Sequence, residues 1–275
     1  GDSASITVNA SVTGNLSAWI DFNADGDWAD AGENIFSDST MSAGNNNLKF
    51  FVPCAAVVGN TFVRFRFSTD NALSYTGAAT DGEVEDYRVA IAADNSDPTI
   101  TCAVPAASYN TDNGDCDYTV PGTALDPTAT GDNCNVASVL NDFDNTNSLQ
   151  NAVFPLGTTT VIWTITDGSG NTATCSYDVV VEDNEDPTIT CAVPAASYDA
   201  NPSTCTYTVP GTGLDPTLTS DNCGIASIVN NFTGTNTLSG AVFSQGTTNV
   251  IWTITDSNGN TTTCNYDIVI DCNII

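Results

Sequence analysis

The sequence contains no histidine and very few basic residues. Its only lysine and arginines are Lys49, Arg64, Arg66 and Arg88, against 33 acidic residues, so residues 89–275 carry no basic side chain. Nucleic-acid phosphates and anionic membrane surfaces are bound through clustered basic residues, and both are therefore excluded as partners. The formal net charge of −29 instead favours surroundings that supply divalent cations.

The absence of histidine also limits the chemistry that the chain can perform. Ser and Cys nucleophiles are commonly activated by an imidazole base, and none is available. No two cysteines have the Cys-x-x-Cys spacing of zinc sites. Nothing in the sequence marks a pair of carboxylates as the acid and base of a glycosidase. We therefore predict that the chain is not an enzyme.

Long apolar runs are missing as well. The run "CAAVV" from Cys54 is about the longest, far below the roughly 20 residues that cross a bilayer, so we predict no membrane insertion. The opening "GDSAS" lacks the basic and apolar parts of a signal peptide. We expect Gly1 to be a mature N-terminus or the edge of a longer protein.

Cysteine, in contrast, is abundant. There are ten, an even number with regular spacing, which indicates disulfides formed in an oxidising compartment. We therefore predict that the protein is extracellular or lies on the cell surface.

The chain repeats itself with an offset of 89 residues. The segment "DPTITCAVPAASY" occupies residues 97–109 and returns at 186–198. Four cysteines of the first copy also return in the second copy: Cys102, Cys116, Cys134 and Cys175 recur as Cys191, Cys205, Cys223 and Cys264.

A period near 90 residues suits a whole β-sandwich domain. Short β-branched runs separated by Gly, Asn, Asp and Pro support strands, and no helical period of useful length occurs. We predict an all-β fold of three tandem β-sandwich domains in an extended rod, with domains at 1–94, 95–183 and 184–275.

Each repeat contains one tryptophan, in the run "VIWTIT". Alternation along a strand places Val161, Trp163 and Ile165 on one face. We interpret Trp163 and Trp252 as core residues, with an exposed aromatic platform for sugars as the alternative.

The motifs "DPTITC", "DNC" at 132–134 and 221–223, "FPLGTTTV" at 154–161 and "TDGSGNTATCSYDVVV" occur in a fixed order. Together they resemble the hyalin-repeat (HYR) module over about 95–183 and 184–272. The resemblance implies an immunoglobulin-like domain of extracellular adhesion proteins. The second copy departs from the pattern at Ser244, which replaces the Pro.

The same resemblance implies a disulfide pairing. The first and last cysteines of each module are the common pair, which gives Cys102–Cys175 and Cys191–Cys264. The remaining pairs would then be Cys116–Cys134 and Cys205–Cys223. Sequence alone permits three pairings for each set of four.

Two cysteines, Cys54 and Cys272, have no counterpart in the repeats. In an extended rod they lie on the order of 100 Å apart, whereas a disulfide needs Cα atoms within about 7 Å. We expect either an intersubunit bond from Cys272 of one copy to Cys54 of the next, which would build a filament, or partners in a longer chain.

The first domain carries "AWIDFNADGDWADAGENIF" at 18–36 and "DGEVEDYRVAI" at 81–91. These residues resemble the GEVEDY domain of bacterial secreted and surface proteins, over most of residues 1–94. The resemblance implies a large multidomain adhesin of Bacteroidota.

The first of these signatures has the spacing of a calcium loop. Asp21, Asn23 and Asp25 stand at positions 1, 3 and 5, and Gly26 permits a sharp turn. Asp27 at position 7 would supply its backbone carbonyl. Because the candidate ligands are all oxygens, the expected ion is Ca²⁺.

The loop is not an EF-hand, since position 12 is Gly32 and the flanking segments read as strands. We expect Asp30 or Glu33 to complete the ligand set, or an acid of the second signature, where Glu83 and Glu85 project from one face of their strand. The alternative is a solvated acidic turn.

The acidic linkers "ADNSDP" at 93–98 and "EDNEDP" at 182–187 stand at the domain joints. They are interpreted as solvated joints shaped by their Pro, with calcium binding as the alternative.

Two functions fit these features. The first is a non-catalytic structural or adhesive module of an extracellular fibre or giant surface adhesin, stabilised by calcium and disulfides. Its partners would be other copies of itself or flanking domains of a longer chain. The alternative is a glycan- or protein-binding module attached to a secreted enzyme.

Overall fold

The computed structural model describes residues 1–272, and none of these residues is helical. The described residues accordingly hold no helix long and apolar enough to span a membrane. The all-β prediction is confirmed.

The described strands number 22 and carry the following bounds: β1 (Asp2–Ala10), β2 (Gly14–Ile20), β3 (Asn34–Met41), β4 (Gly44–Val52), β5 (Gly59–Ser68), β6 (Glu83–Ile91), β7 (Thr99–Thr101), β8 (Tyr109–Asn110), β9 (Asp117–Thr119), β10 (Ala129–Gly131), β11 (Val136–Asn141), β12 (Val153–Pro155), β13 (Gly157–Asp167), β14 (Thr172–Glu182), β15 (Thr188–Thr190), β16 (Tyr198–Asp199), β17 (Thr206–Thr208), β18 (Leu218–Ser220), β19 (Ile225–Asn230), β20 (Val242–Ser244), β21 (Gly246–Asp256) and β22 (Thr261–Asp271).

The chain divides into two compact units that do not coincide with the sequence repeats. Unit 1 holds residues 1–102, 127–147 and 162–175, and unit 2 holds residues 103–126, 148–161 and the chain from 176 onward.

Unit 1 contains an antiparallel four-stranded sheet in the order β3-β2-β5-β6 and an antiparallel pair, β1-β4. Leu16, Ala18 and Met41 form the centre of its core and are at most 1% exposed. Strand β5 places Val63 on one face, where it is buried. On the other face the Arg66 guanidinium is also buried, because it donates hydrogen bonds to carbonyls of residues 74, 76 and 77.

Unit 1 also contains the antiparallel pair β7-β10 and the contact of β11 with the second half of β13. Trp163 lies in this half of β13 and is completely buried. The bond Cys102–Cys175 closes this part of the unit with its Cα atoms 5.7 Å apart.

Unit 2 contains a four-stranded sheet in the order β16-β22-β21-β19 and the small antiparallel pairs β9-β12, β15-β18 and β17-β20. Its core surrounds Trp252, which is completely buried together with Leu238 and Phe243. The indole Nε1 of Trp252 donates to the Tyr266 hydroxyl at 3.2 Å, and that hydroxyl donates to the carbonyl of Leu214. Both tryptophans are core residues, so the interpretation of them as an exposed platform is wrong.

The repeat is visible strand by strand. Each of β7 to β14 has a counterpart 89 residues further along, from β15 to β22. Short strands occur where Gly, Asn and Pro interrupt the sequence, and long ones occur at the uninterrupted β-branched runs of β13 and β21.

Candidate metal centre

The predicted calcium loop joins β2 to β3. Strands flank it on both sides, and the N–H of Ile20 donates to the carbonyl of Glu33 at 2.9 Å, which closes the base of the loop. The flanking structure agrees with the expectation that the loop is not an EF-hand.

Asp21 opens the loop with a buried side chain that is 4% exposed. Its Oδ1 accepts the N–H of Asp25 at 3.2 Å, and its Oδ2 accepts the N–H of Gly26 at 3.1 Å. Gly26 adopts a φ of 97°, in the left-handed region that favours glycine. The Asp21 carboxylate therefore organises the turn.

Glu33 ends the loop and is 2% exposed. Its two oxygens accept the N–H groups of Phe22 at 3.1 Å and Asp30 at 3.2 Å. Burial raises the pKa of Glu33, and the neighbouring charges of Asp21 and Asp30 add to that increase, while the two hydrogen bonds oppose it. Glu33 therefore stabilises the end of the loop through these two buried hydrogen bonds.

Asp25, Asp27 and Asp30 form the outer part of the loop. All three are exposed, and one carboxylate oxygen of each lies within 4.8 Å of the others. The side-chain amide of Asn23 donates to Asp25 at 3.1 Å and to Asp30 at 2.7 Å. The structure thus brings together the side chains of four of the eight candidate residues, all of them oxygen-bearing and suited to calcium, and it places the carboxylate of Asp27 in the group where the backbone carbonyl was expected to serve.

Glu83 and Glu85 lie elsewhere. On β6 they face Phe67 and Phe65 across the strand pair, on the side opposite Asp86. Both line a cavity of about 860 Å³ in unit 1, whose lining does not include residues 23–33. Both side chains are exposed, and neither belongs to the group of close carboxylates formed by Asp25, Asp27 and Asp30. That one of them reaches the loop stays a prediction.

Sequence reasoning missed the residues that fasten the loop to β5. The Arg64 guanidinium lies 4.3 Å from the ring centroid of Trp28, and the indole Nε1 donates to the carbonyl of Phe62 at 3.3 Å. Arg64 also makes two hydrogen bonds of 2.7 Å to Asp86, which lower the pKa of that carboxyl. The only available signal was a Trp inside an acidic loop.

All ten cysteines are bonded within the chain, and none is free. The bonds Cys102–Cys175 and Cys191–Cys264 are those that the family resemblance implied. The other three differ from the expectation, and they are Cys54–Cys134, Cys116–Cys223 and Cys205–Cys272.

The expected pair Cys116–Cys134 is not formed, because Cys134 belongs to unit 1 and Cys116 to unit 2. Each "DNC" cysteine instead bonds to a cysteine of the preceding domain sequence. Cα separations of 5.3 Å for Cys54–Cys134 and 4.9 Å for Cys116–Cys223 lie within the bonding range.

The expected pair Cys205–Cys223 is replaced for a local reason. Strand β16 runs parallel to the end of β22, with Asp199 opposite Asp271, and this brings the turn at Cys205 to Cys272. Since Cys54 and Cys272 both have partners inside the chain, the expected intersubunit bond between them is wrong.

One aspartate of each acidic linker also belongs to a group of close carboxylates. Asp94 of the first linker shares a group of close carboxylates with Asp132 and Asp167. An equivalent group joins the second linker to the repeat that follows, and its members are Asp183, Asp221 and Asp256. Sequence reasoning named none of the four aspartates outside the linkers, although all six recur at the 89-residue offset.

Comparison with known families agrees with this architecture. A profile described as "GEVED domain" matches residues 15–90, and one described as "HYR domain" matches residues 93–181 and 182–270. These are adhesion-type and immunoglobulin-like modules, and they are not known catalytic families.

Among curated proteins, the chain is similar to "Sushi, von Willebrand factor type A, EGF and pentraxin domain-containing protein 1" of Rattus norvegicus and of Mus musculus. Each is 34% identical over 118 residues, which is 43% of this chain and 3% of the relative. The chain therefore spans only a small part of the length of these relatives.

Among solved structures, one is described as "Ca2+-stabilized adhesin helps an Antarctic bacterium reach out and bind ice". It is 12% identical, with a TM-score of 0.33, over 98% of this chain and 69% of that chain. Another is "Protocadherin gammaB7 EC3-6 cis-dimer structure", 11% identical with a TM-score of 0.31, over 96% of this chain and 66% of that chain.

Proposed function

The chain belongs to the family of HYR-domain proteins, and on that premise we propose that it is a non-catalytic structural module of an extracellular fibre or giant cell-surface adhesin. Its partners are other copies of itself or flanking domains of a longer chain. Its place outside the cell is supported by five disulfides, which persist in oxidising compartments.

The observation that carries this proposal is the covalent path made by three of the disulfides. Cys54–Cys134 joins the first domain sequence to the first repeat, and Cys116–Cys223 joins the first repeat to the second. Cys205–Cys272 then reaches the end of the last strand. Tension applied along the chain would pass through these bonds.

The path leaves little backbone to extend. The backbone from Cys54 to Cys272 spans 218 residues. When the oxidised chain is pulled, only two segments between the bonded cysteines can extend, residues 116–134 and residues 205–223, which span 18 residues each. At about 3.5 Å per extended residue, the two segments together yield roughly 130 Å instead of roughly 760 Å. Such a chain keeps its length under load, which suits a fibre.

Single-molecule stretching of the full chain from its two ends tests this function. The oxidised chain should release about 130 Å between residues 54 and 272 after unfolding, and the reduced chain about 760 Å. Release of the full length by the oxidised chain would contradict the proposal.

The matched control is the double variant Cys116→Ser, Cys223→Ser. Its shortest path uses Cys54–Cys134, residues 134 back to 102, the bond Cys102–Cys175, residues 175 to 191, the bond Cys191–Cys264 and residues 264 to 272. That path holds 56 residues, so the expected release is about 200 Å. An intermediate length would identify the bond between the repeats as the element that limits extension.

Calcium is part of the proposed function. We assign it to the outer part of the Asp21–Glu33 loop, held by Asp25, Asp27 and Asp30. Rotation of the Asn23 amide would turn its oxygen toward the same ion. Support comes from the mutual approach of three carboxylates within 4.8 Å in a loop tied to β5 through Trp28.

A binding module for glycans is the second candidate function from the sequence, but the exposed aromatic platform that would support it is not present at the two tryptophans of the repeats. Trp163 and Trp252, the residues best suited to stack on sugars, are completely buried. A glycan array probed with the oxidised chain would favour this function only if it gave saturable binding.

A further inference from the structure

We propose that the two partly buried aspartate groups at the linkers are calcium sites, formed by Asp183, Asp221 and Asp256 and, one repeat earlier, by Asp94, Asp132 and Asp167. In each group one carboxylate oxygen per residue lies within 4.8 Å of the other two. We call them the second and the first aspartate triad. They share no residue with the Asp21–Glu33 loop, so the proposal does not depend on that loop.

The second triad is built from three separate segments of unit 2. Asp183 lies in the linker after β14, Asp221 lies in the "DNC" loop before β19, and Asp256 ends β21. Asp183 and Asp256 are 4% and 1% exposed. Three ionised carboxylates in such a place repel one another strongly, and residues 89–275 supply no basic side chain to offset them.

The carboxylates are held in place by hydrogen bonds, to one oxygen of Asp183 and of Asp221 and to both oxygens of Asp256, whose Oδ2 accepts the Asn260 amide at 2.7 Å. Asp183 Oδ1 accepts the N–H of Glu185 at 3.1 Å, and Asp221 Oδ2 accepts those of Cys223 at 2.9 Å and Gly224 at 2.8 Å. Asp256 Oδ1 accepts three successive N–H groups of the turn at residues 258–260. These bonds fix the orientation of all three side chains.

The remaining oxygens point to a cation as the ligand. Asp183 Oδ2, Asp221 Oδ1 and Asn222 Oδ1 are all buried without a hydrogen-bond partner in the described structure. An acceptor left unpaired in the interior costs free energy, and groups of this kind need an explanation. Three oxygen acceptors beside buried carboxylates fit a hard cation, which takes oxygen ligands only.

The first triad has the same construction. Its unpaired oxygens are Asp94 Oδ2, Asp132 Oδ1 and Asn133 Oδ1, each 89 residues before its counterpart. The amide Nδ2 of Asn133 donates to Asp94 at 3.2 Å, as Asn222 does to Asp183 at 3.4 Å. Recurrence of the same three unpaired atoms in unit 1 and unit 2 indicates a built feature of the repeat.

Calcium suits these triads better than the smaller magnesium ion. The oxygens come from loops and a linker, which accommodate the 6 to 8 ligands at about 2.3–2.6 Å that calcium accepts, whereas magnesium requires a strict octahedron. A bound ion would fasten each linker aspartate to two loops of the repeat that follows it. The adjacent cysteines, Cys134 and Cys223, make the covalent joins at the same loops.

The experiment compares the oxidised full chain with Asp183→Asn in calcium titration by calorimetry, after removal of metal with a chelator. We expect the variant to bind one calcium ion fewer per chain. The control is Asp199→Asn, which removes the same charge from an exposed position that is Asn110 in the first repeat. It should bind as many ions as the parent.

Melting temperatures distinguish a carboxylate that binds calcium from one that only accepts a backbone hydrogen bond. The Asn side chain keeps an oxygen for the N–H of Glu185, so without calcium Asp183→Asn should melt at or above the parent, because repulsion in the triad falls. With calcium it should melt below the parent. An equal loss of melting temperature in both conditions, or an unchanged ion count, would overturn the proposal.

Two further measurements complete the test. Asp221→Asn should repeat the result, and it replaces Asp183→Asn if that variant fails to fold. Asp25→Ala, which removes a ligand of the Asp21–Glu33 loop, should leave both triads loaded, so failure of the loop site and failure of the triads give different ion counts. A response to magnesium equal to that to calcium would overturn the choice of ion.

Discussion

Cys116 of the first repeat is bonded to Cys223 of the second, 107 residues further along the chain. The bond sits beside a direct polar contact, since the amide of Asn222 donates to the carbonyl of Asp115 at 2.9 Å. The repeats are therefore joined by covalent and polar links at one place. Disulfides therefore stabilise each repeat internally, through Cys102–Cys175 and Cys191–Cys264, and one further bond links the two repeats.

The first prediction concerns that bond. Peptide mapping without reduction should return Cys116 linked to Cys223, and Cys134 linked to Cys54. The double variant Cys116→Ser, Cys223→Ser should lower the free energy of unfolding by about 2–4 kcal/mol, because the unfolded chain gains entropy when the bond is lost. Recovery of a Cys116–Cys134 peptide would contradict the pairing.

Much of the fold could be predicted because it depends on local patterns and on the repeat. The uninterrupted runs at β13 and β21 predict long strands with buried Trp163 and Trp252, and both occur. The pairing of Cys116 could not be predicted, because it depends on which loops approach one another. The spacing of the cysteines along the chain does not show which loops lie close together in the fold.

The candidate metal sites also differ in whether a local sequence pattern marks them. The alternating acids from Asp21 to Asp25 identified the loop, because its ligands are close in sequence. The triad of Asp183, Asp221 and Asp256 gathers residues up to 73 positions apart, so no local motif marks it. The sequence showed the 89-residue recurrence of its members, and it offered calcium binding, as an alternative, only at the linker that contains Asp183.

The second prediction concerns Gly82, in the "DGEVEDY" signature. Its φ is 92°, and a Cβ added there would lie 1.8 Å from the carbonyl oxygen of Phe67. Gly82→Ala should therefore unfold the first domain or lower its stability by more than about 3 kcal/mol, because a backbone atom cannot move aside cheaply.

Gly77→Ala is the control, since Gly77 has a similar φ of 99° but nothing within 4 Å of the added Cβ. It should cost only about 1 kcal/mol, the strain of a left-handed alanine. Urea unfolding followed by tryptophan fluorescence measures both variants. Equal losses would show that backbone conformation, and not the contact with Phe67, decides the effect.

The third prediction is a pH dependence set by Asp86. Its hydrogen bonds to Arg64 lower its pKa, so the folded state holds this carboxylate ionised more firmly than the unfolded state does. The resulting stability is present above the unfolded pKa of about 3.9 and is lost as the pH falls through the lower folded value. Since the Asp86 side chain is 43% exposed, we expect about 0.5–1 kcal/mol at neutral pH.

Asp86→Asn checks this. The difference in unfolding free energy between parent and variant should be largest near pH 7 and should shrink as the pH falls through the lowered folded pKa of Asp86. High salt should reduce the difference at pH 7, because exposed charges are screened. A difference that stays constant with pH would assign the effect to packing of Arg64 on Trp28 instead.

The last prediction concerns the loop from Asp21 to Glu33. Asp25→Ala removes one of the three outer carboxylates but leaves Asp21 and Glu33, which organise the turn through backbone N–H groups. We expect the variant to fold, to bind one calcium ion fewer by calorimetry, and to lose the stabilisation from that site. For the parent, this stabilisation is about 2.7 kcal/mol when free calcium is 100 times the Kd.

Glu85→Gln is the matched control, because Glu85 lines the cavity and not the loop, and it should bind as much calcium as the parent. Loss of calcium in Glu85→Gln, with none lost in Asp25→Ala, would move the site from the loop to β6.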